Sequence, residues 1–254
     1  MKLIFIGTGS AFDVNTKNYN SNMLLVNEDI NEKFLIDCGS DARHALFEMG
    51  LTYRDIKNVY ISHLHADHVG GMEWLALTRN FDAECDKPTL YAHPAIINSI
   101  WENTLKGGLS TIQGVKTDLN YFFNTKPADS HGVFMWNDIA MQTVQTVHVV
   151  ENFKYMPSYG LIFTINGTRI FITTDTQFAP NQLRDFYLNV DIIFHDCETL
   201  DKPSGVHANF NELVTLDSSI KSKMWLYHYN SGSLPDAKAF GFLGFVKKGQ
   251  IFEF

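Results

Sequence analysis

Three histidines and an aspartate fall within one run of six residues, His63-Leu64-His65-Ala66-Asp67-His68. Imidazole nitrogen and carboxylate oxygen are the donors that borderline divalent ions take. Neutral imidazole suits zinc, iron and nickel, and the carboxylate also admits manganese. The run directly follows Val59-Tyr60-Ile61-Ser62, a stretch that reads as a strand, so the donors sit on a loop at a strand end. Side chains on two sides of such a loop do not all reach one ion, but they can feed two adjacent ions. The alternative is a polar loop that happens to be rich in histidine, in a chain with 10 of them. Independent placement gives so dense a pattern in about one chain per thousand.

The elements that must hold this loop show as short apolar runs. Strands are expected over residues 3–6, 22–26, 34–36, 59–62, 89–92 and 139–147. Residues 159–165 and 169–173 flank Asn166-Gly167, a pair favoured in two-residue hairpin turns. Further strands are expected over 190–194, 223–229 and 250–254. Ser40 or Asp41 can cap a helix ending at Gly50, and other helices are expected near 72–79, 94–102 and 209–216. Hairpins mixed with helices imply sheets covered by helices, in an α/β or α+β arrangement. No Pro/Gly/Ser-rich linker or repeat divides the sequence, so one domain over residues 1–254 is expected. Residues 106–129 lack a clear period and carry Gly107-Gly108, Gly114 and Tyr121-Phe122-Phe123, as a lid or interface loop would.

The run matches the HxHxDH signature of the metallo-β-lactamase superfamily. Thr146-Val147-His148, Phe171-Ile172-Thr173-Thr174-Asp175-Thr176 and Trp225-Leu226-Tyr227-His228 are similar to its later motifs, in the same order. The resemblance extends from Gly7-Thr8-Gly9-Ser10 to His228, nearly the whole chain. It implies an αββα sandwich with metals at one edge. It further implies two zinc ions, with manganese as the alternative. The first would be held by His63, His65 and His148 and the second by Asp67, His68 and His228, with Asp175 bridging. A lone His148 or His228 would more often be a partly buried, hydrogen-bonded residue; the ordered set reverses that expectation. Asp67 would also orient the attacking hydroxide. Asp37, in Leu35-Ile36-Asp37-Cys38-Gly39, would hydrogen-bond a ligand imidazole, unless it is a simple turn aspartate.

Within this superfamily the chain resembles the RNase Z branch. Asp191-Ile192-Ile193-Phe194-His195-Asp196-Cys197-Glu198, followed by Gly205-Val206-His207-Ala208, is similar to the acid-then-histidine pair that protonates the leaving group there. His207 is then the candidate general acid, oriented by Asp196 or, second in line, Glu198. The alternative for His207 is an exposed loop residue before a helix. RNase Z enzymes insert a tRNA-clamping arm between the third metal histidine and the bridging aspartate, whereas only 26 residues separate His148 from Asp175 here. Small, armless cyclic-nucleotide phosphodiesterases remain similar, among them the phage anti-Pycsar enzymes and their bacterial relatives. Asn18-Tyr19-Asn20-Ser21-Asn22 and Met224-Trp225-Leu226-Tyr227-His228-Tyr229 look like that group. The resemblance therefore implies a homodimeric hydrolase of 3′,5′-cyclic nucleotides. An RNase Z-like tRNA 3′-processing endonuclease, or another hydrolase of the metallo-β-lactamase fold, is the alternative.

Composition points the same way. The net charge is −8, from 20 basic and 28 acidic residues, and no basic run exceeds Lys247-Lys248. Gripping a long nucleic acid needs clustered lysine and arginine, so the balance favours a small anionic substrate. No run approaches the roughly 18 apolar residues that span a bilayer. Residues 1–7 read as a strand rather than a signal peptide. Cys38, Cys85 and Cys197 are odd in number and irregular in spacing, which argues against a disulfide framework and fits a reducing cytoplasm, the host's if the gene is a phage's. Gly7-x-Gly9 hints at a dinucleotide fold, but Phe12 stands where the third glycine belongs. A non-catalytic binding module would be expected to have lost at least one of the seven donors.

Overall fold

The computed structural model describes residues 1–14 and 18–254. Strands β1 (Lys2–Phe5), β2 (Met23–Asn27), β3 (Glu32–Ile36), β4 (Asn58–Tyr60), β5 (Thr89–Ala92) and β6 (Asn124–Pro127) lie side by side in a first sheet. The chain then enters a second sheet with β7 (Val133–Trp136) and β8 (Ile139–Gln145). A separate two-stranded ribbon follows, β9 (Val150–Glu151) and β10 (Lys154–Tyr155). The second sheet is completed by β11 (Tyr159–Ile165), β12 (Thr168–Ile172), β13 (Ile192–Asp196), β14 (Met224–Tyr227) and β15 (Gly244–Phe245). Finally β16 (Ile251–Glu253) returns to the first sheet and pairs antiparallel with β1.

Helices α1 (Ala42–Glu48), α2 (Ala66–Val69), α3 (Met72–Asn80), α4 (Pro94–Ile100), α5 (Lys106–Leu109) and α6 (Leu119–Phe122) accompany the first sheet, and α7 (Pro180–Leu188), α8 (Phe210–Leu213) and α9 (Ser218–Lys221) the second. Period-2 alternation sorts the strand residues between layers. Leu3, Phe5, Met23, Leu25, Phe34 and Tyr60 meet Phe134, Leu161, Phe163, Ile172 and Phe194 in a core between the sheets. Their neighbours Ile4, Leu24, Leu35 and Val59 face outward under Leu46, Met72, Leu75 and Ile96 of the helices. On the far side Ile162, Phe171 and Ile193 pack under Leu183, Tyr187, Phe210 and Leu213. Both faces of each sheet are thus buried, which is why the strands read as continuous apolar runs. The arrangement is the expected αββα sandwich.

The strands that were expected fall within a residue or two of their expected ends, whereas β7, β9, β10 and β15 were not expected. Asn166-Gly167 turns the β11–β12 hairpin with φ of 48° and 84°. The expected loop over residues 106–129 is different. It contains α5, α6 and β6, and Phe122 and Phe123 are buried in the chain's own core. β6 pairs only with β5, at the sheet edge, where the polar Asn-Thr-Lys-Pro sequence and its proline are tolerated.

Candidate metal centre

Parallel strands β3 and β4 of the first sheet, and β12, β13 and β14 of the second, run toward one edge of the sandwich. Asp37, the His63–His68 run, Asp175 and His228 follow the ends of β3, β4, β12 and β14, Asp196 closes β13, and His148 lies beyond β8. The run is not all loop as expected, since Asp67 and His68 lie on α2. Loops from both sheets therefore meet over a single rim, where open α/β sheets place their ligands.

The rim carries three overlapping groups of donors, each lying within 4.8 Å: two nests that match the expected ligand sets, and a third of Asp175, Asp196, His207 and His228. In the first, His65 Nδ1 lies 3.1 Å from both His63 Nε2 and His148 Nε2. Asp175 Oδ2 stands 3.6 Å from each of those two Nε2 atoms. In the second, Asp67 Oδ2 lies 3.1 Å from His68 Nε2 and 3.3 Å from His228 Nε2. Asp175 Oδ1 is 3.2 Å from the former and 3.5 Å from the latter. Asp175 so turns one oxygen to each nest.

Residues behind the rim fix how the rings face. His68 Nδ1 donates to Asp37 Oδ2 at 2.7 Å, and Asp37 also accepts from the Ser62 amide and hydroxyl. His148 Nδ1 donates to Val206 O at 2.8 Å. Each such bond leaves the ring's Nε2 lone pair for the nest. Asp37, Thr174 and His228 adopt left-handed backbone at φ of 61°, 52° and 65°. Strained non-glycine residues gathered at one site signal that surrounding structure enforces their geometry.

Metal ions fit this donor set. Zinc bonds of about 2.0–2.2 Å place tetrahedral donors about 3.3–3.6 Å apart, close to the 3.1–3.6 Å separations here. Among the described residues, the buried His68 Nε2 and Asp175 Oδ1 make no hydrogen bond. Burial pushes His63, and likewise His148, below the usual imidazole range, toward the neutral ring a metal requires. Burial opposes charge on His68 and His228 too, but Asp175 and its neighbouring carboxylates outweigh it and shift both rings above the usual imidazole range. The same excess of negative charge would favour a bound cation.

His207 stands beside the nests with Nδ1 2.8 Å from Asp196 Oδ2. Asp196 Oδ2 also accepts from the Thr176 amide at 2.9 Å, and Oδ1 lies 3.3 Å from His228 Nδ1. Burial tends to neutralise His207, yet the Asp196 carboxylate prevails and raises it above its ordinary value. Glu198 instead receives the Ser204 amide. Of the histidines without an assignment, His44 is exposed on α1, His93 caps α4 and stacks on Tyr159, and His195 is buried against Tyr187. Sequence reasoning missed Ser62, whose hydroxyl joins Asp37 to His63. Its only signal is its place next to the histidine run.

These groups line a cavity of about 370 Å³ that includes His65, Asp67, His148, Asp175 and His207. The family model of the anti-Pycsar protein Apyc1 matches residues 1–252. An anti-Pycsar protein Apyc1 from Paenibacillus harenae is 37% identical over 231 residues, covering 90% of each chain. One from Bacillus phage 010DV004 is 31% identical over 261 residues, covering 99% of this chain and 98% of its own. The crystal structure of the metallo-β-lactamase fold protein YhfI from Bacillus subtilis superposes with a TM-score of 0.77 at 19% identity, covering 99% of both chains. The fold is that of the metallo-β-lactamases.

Proposed function

Because the chain belongs to the anti-Pycsar protein Apyc1 family, we propose that it hydrolyses 3′,5′-cyclic nucleotides, including cyclic pyrimidine signals of antiphage defence, to nucleoside monophosphates. The observation that carries this reading is the cavity. At about 370 Å³ it falls in the size range of small-molecule sites, with His65, Asp67, His148 and Asp175 of the donor nests in its lining. A net charge of −8 and an interval between His148 and Asp175 occupied by a short ribbon and a hairpin weigh against a polynucleotide substrate.

In this reading His63, His65 and His148 hold one divalent ion, Asp67, His68 and His228 the other, and Asp175 both; zinc is the expected metal and manganese the alternative. Such a pair supplies Lewis acidity for the phosphoryl oxygens and makes water a nucleophile at neutral pH. Asp67, in the cavity lining, accepts a hydrogen bond from the attacking water and orients it. His207 uses Nδ1 on Asp196, so Nε2 is the nitrogen that delivers a proton to the departing sugar oxygen. Asp196 holds that ring in place and keeps it charged.

Purified protein should carry about two equivalents of transition metal, lost to a chelator together with activity. The substrate class is tested with a panel of 3′,5′-cyclic nucleotides and a precursor tRNA, each assayed with zinc and with manganese. Cleavage of the tRNA alone would replace this reading with the endonuclease. We also read the protein as a homodimer. Phe122 and Phe123, which the sequence offered for an interface, pack internally, whereas Phe47 and Phe81 are exposed at helix ends. A monomer by light scattering at micromolar concentration would count against that state.

A further inference from the structure

A second cavity, of about 440 Å³, lies where β15 ends the second sheet and the chain turns back to β16. Its volume is in the range of small-molecule sites. Trp225, Asp236, Lys238, Gly244, Lys247 and Gln250 are among its lining, which shares no residue with the lining of the metal-centre cavity. Trp225 precedes His228 by three residues, so about 10 Å of extended chain separates the two.

The indole at this cavity is left partly uncovered. Trp225 is half-buried on β14, although its neighbours Met224 and Leu226 are fully buried. Phe252 packs edge-on against it, with ring centroids 5.3 Å apart. Its cross-strand partner on β15 is Gly244, at φ of 139°, a conformation that residues with side chains rarely adopt. A Cβ there would stand 3.2 Å from Trp225 Cζ3. The partner strand thus holds opposite the indole a residue that cannot cover it.

Polar groups gather around this surface. Lys238 and Lys247 bring two cations to the cavity, and among the described residues neither ammonium has an ion pair, a hydrogen bond or a ring as partner. By contrast Lys2, Lys33, Lys106 and Lys248 each hold a carboxylate. Asp236, the acid in the lining, receives the Ala239 amide at Oδ1, which leaves Oδ2. Gln250 Oε1 accepts from Lys247 N at 3.0 Å, which leaves its Nε2 to donate. A bare phosphate would make no use of the indole, and an uncharged ring none of the lysines. A nucleoside monophosphate uses both, with its base on the indole, its phosphate on the lysines and its ribose hydroxyls on the free carboxylate oxygen.

We propose that this cavity is a nucleotide-binding site separate from the metal centre, which takes a nucleoside monophosphate between Trp225 and the pair Lys238 and Lys247. The site stands whether or not the metal centre hydrolyses cyclic nucleotides.

Calorimetry and tryptophan fluorescence of the metal-loaded protein with uridine and adenosine 5′-monophosphates test it. Binding should quench part of the emission. Lys238→Gln combined with Lys247→Gln should weaken binding roughly 2- to 30-fold, the range for two exposed ion pairs. Trp225→Leu should weaken it roughly 5- to 150-fold, the range for one stacked base. Trp225→Phe should keep the affinity and lose the quenching, which separates this indole from the other tryptophans. Uridine and ribose 5-phosphate should each bind more weakly than uridine monophosphate. The double lysine variant should turn over a p-nitrophenyl phosphodiester at the wild-type rate. Affinity that is the same in the wild type, the lysine variant and Trp225→Leu would place all nucleotide binding at the metal centre and overturn the proposal. So would absence of binding, or ribose 5-phosphate that binds as tightly as the nucleotide.

Discussion

Asp196 spends its two carboxylate oxygens on different histidines, Oδ2 on His207 and Oδ1 facing His228. The proposed proton donor and a residue of the candidate metal nest thus share one anion. A general acid works only while protonated, so turnover of cyclic nucleotides should fall as pH rises through the elevated pKa of His207. Burial alone would lower that pKa, and Asp196 is the largest opposing influence. Asp196→Asn should therefore shift the alkaline limb to lower pH. A limb that stays in place with metal content unchanged would exclude this role. His207→Ala should keep its metal and lose about 10²–10⁴-fold activity on cyclic nucleotides. With a p-nitrophenyl ester, whose leaving group needs no proton, the defect should nearly vanish; equal losses on both substrates would mean that His207 holds structure instead. Most of the site was legible because its side chains follow apolar strands, as His148, Asp175 and His228 do. Ser62 and the Thr176 amide were not. Their roles depend on which loops meet across the sandwich, and a backbone donor leaves no mark in a residue's type.

The loop after β3 is laced to the loop after β4. Cys38 N donates to His68 O at 2.8 Å, Ser40 N to Ala66 O at 3.0 Å and Gly71 N to Cys38 O at 2.8 Å. Gly39 sits in this seam with its amide on Asn22 Oδ1 at 2.7 Å. A Cβ on Gly39 would lie 2.1 Å from Asp67 O, so the two backbones must part to admit one. Gly39→Ala should cost about 1–3 kcal/mol and lower metal content with it. Thermal unfolding and metal analysis of the variant check this, and a fully metallated protein of unchanged Tm would show that the seam is slack. Elements with both faces buried were legible in the sequence, as was the Asn166-Gly167 turn, whose residues suit its backbone. β6 was not, because a polar edge strand needs only a neighbour to pair with. The ribbon strands, two residues each, are too short to show a period.

Both sheets contribute to the central core, and both supply donors to the metal centre, His63 from the first and Asp175 from the second. Separating the sheets would break core and centre together. Unfolding followed by circular dichroism and metal release followed by a chromophoric chelator should therefore give one coincident transition, raised by excess metal. Metal leaving well before the sheets part would contradict this. No helix among the described residues is long and apolar enough to cross a membrane. The ribbon is the part of the molecule least bound to this unity. It leaves after His148 and returns before β11, and Thr146 N donates to Ser158 O at 2.9 Å across its base. Residues inserted at its tip would lengthen an appendage while strand register, core and donor positions stayed as they are.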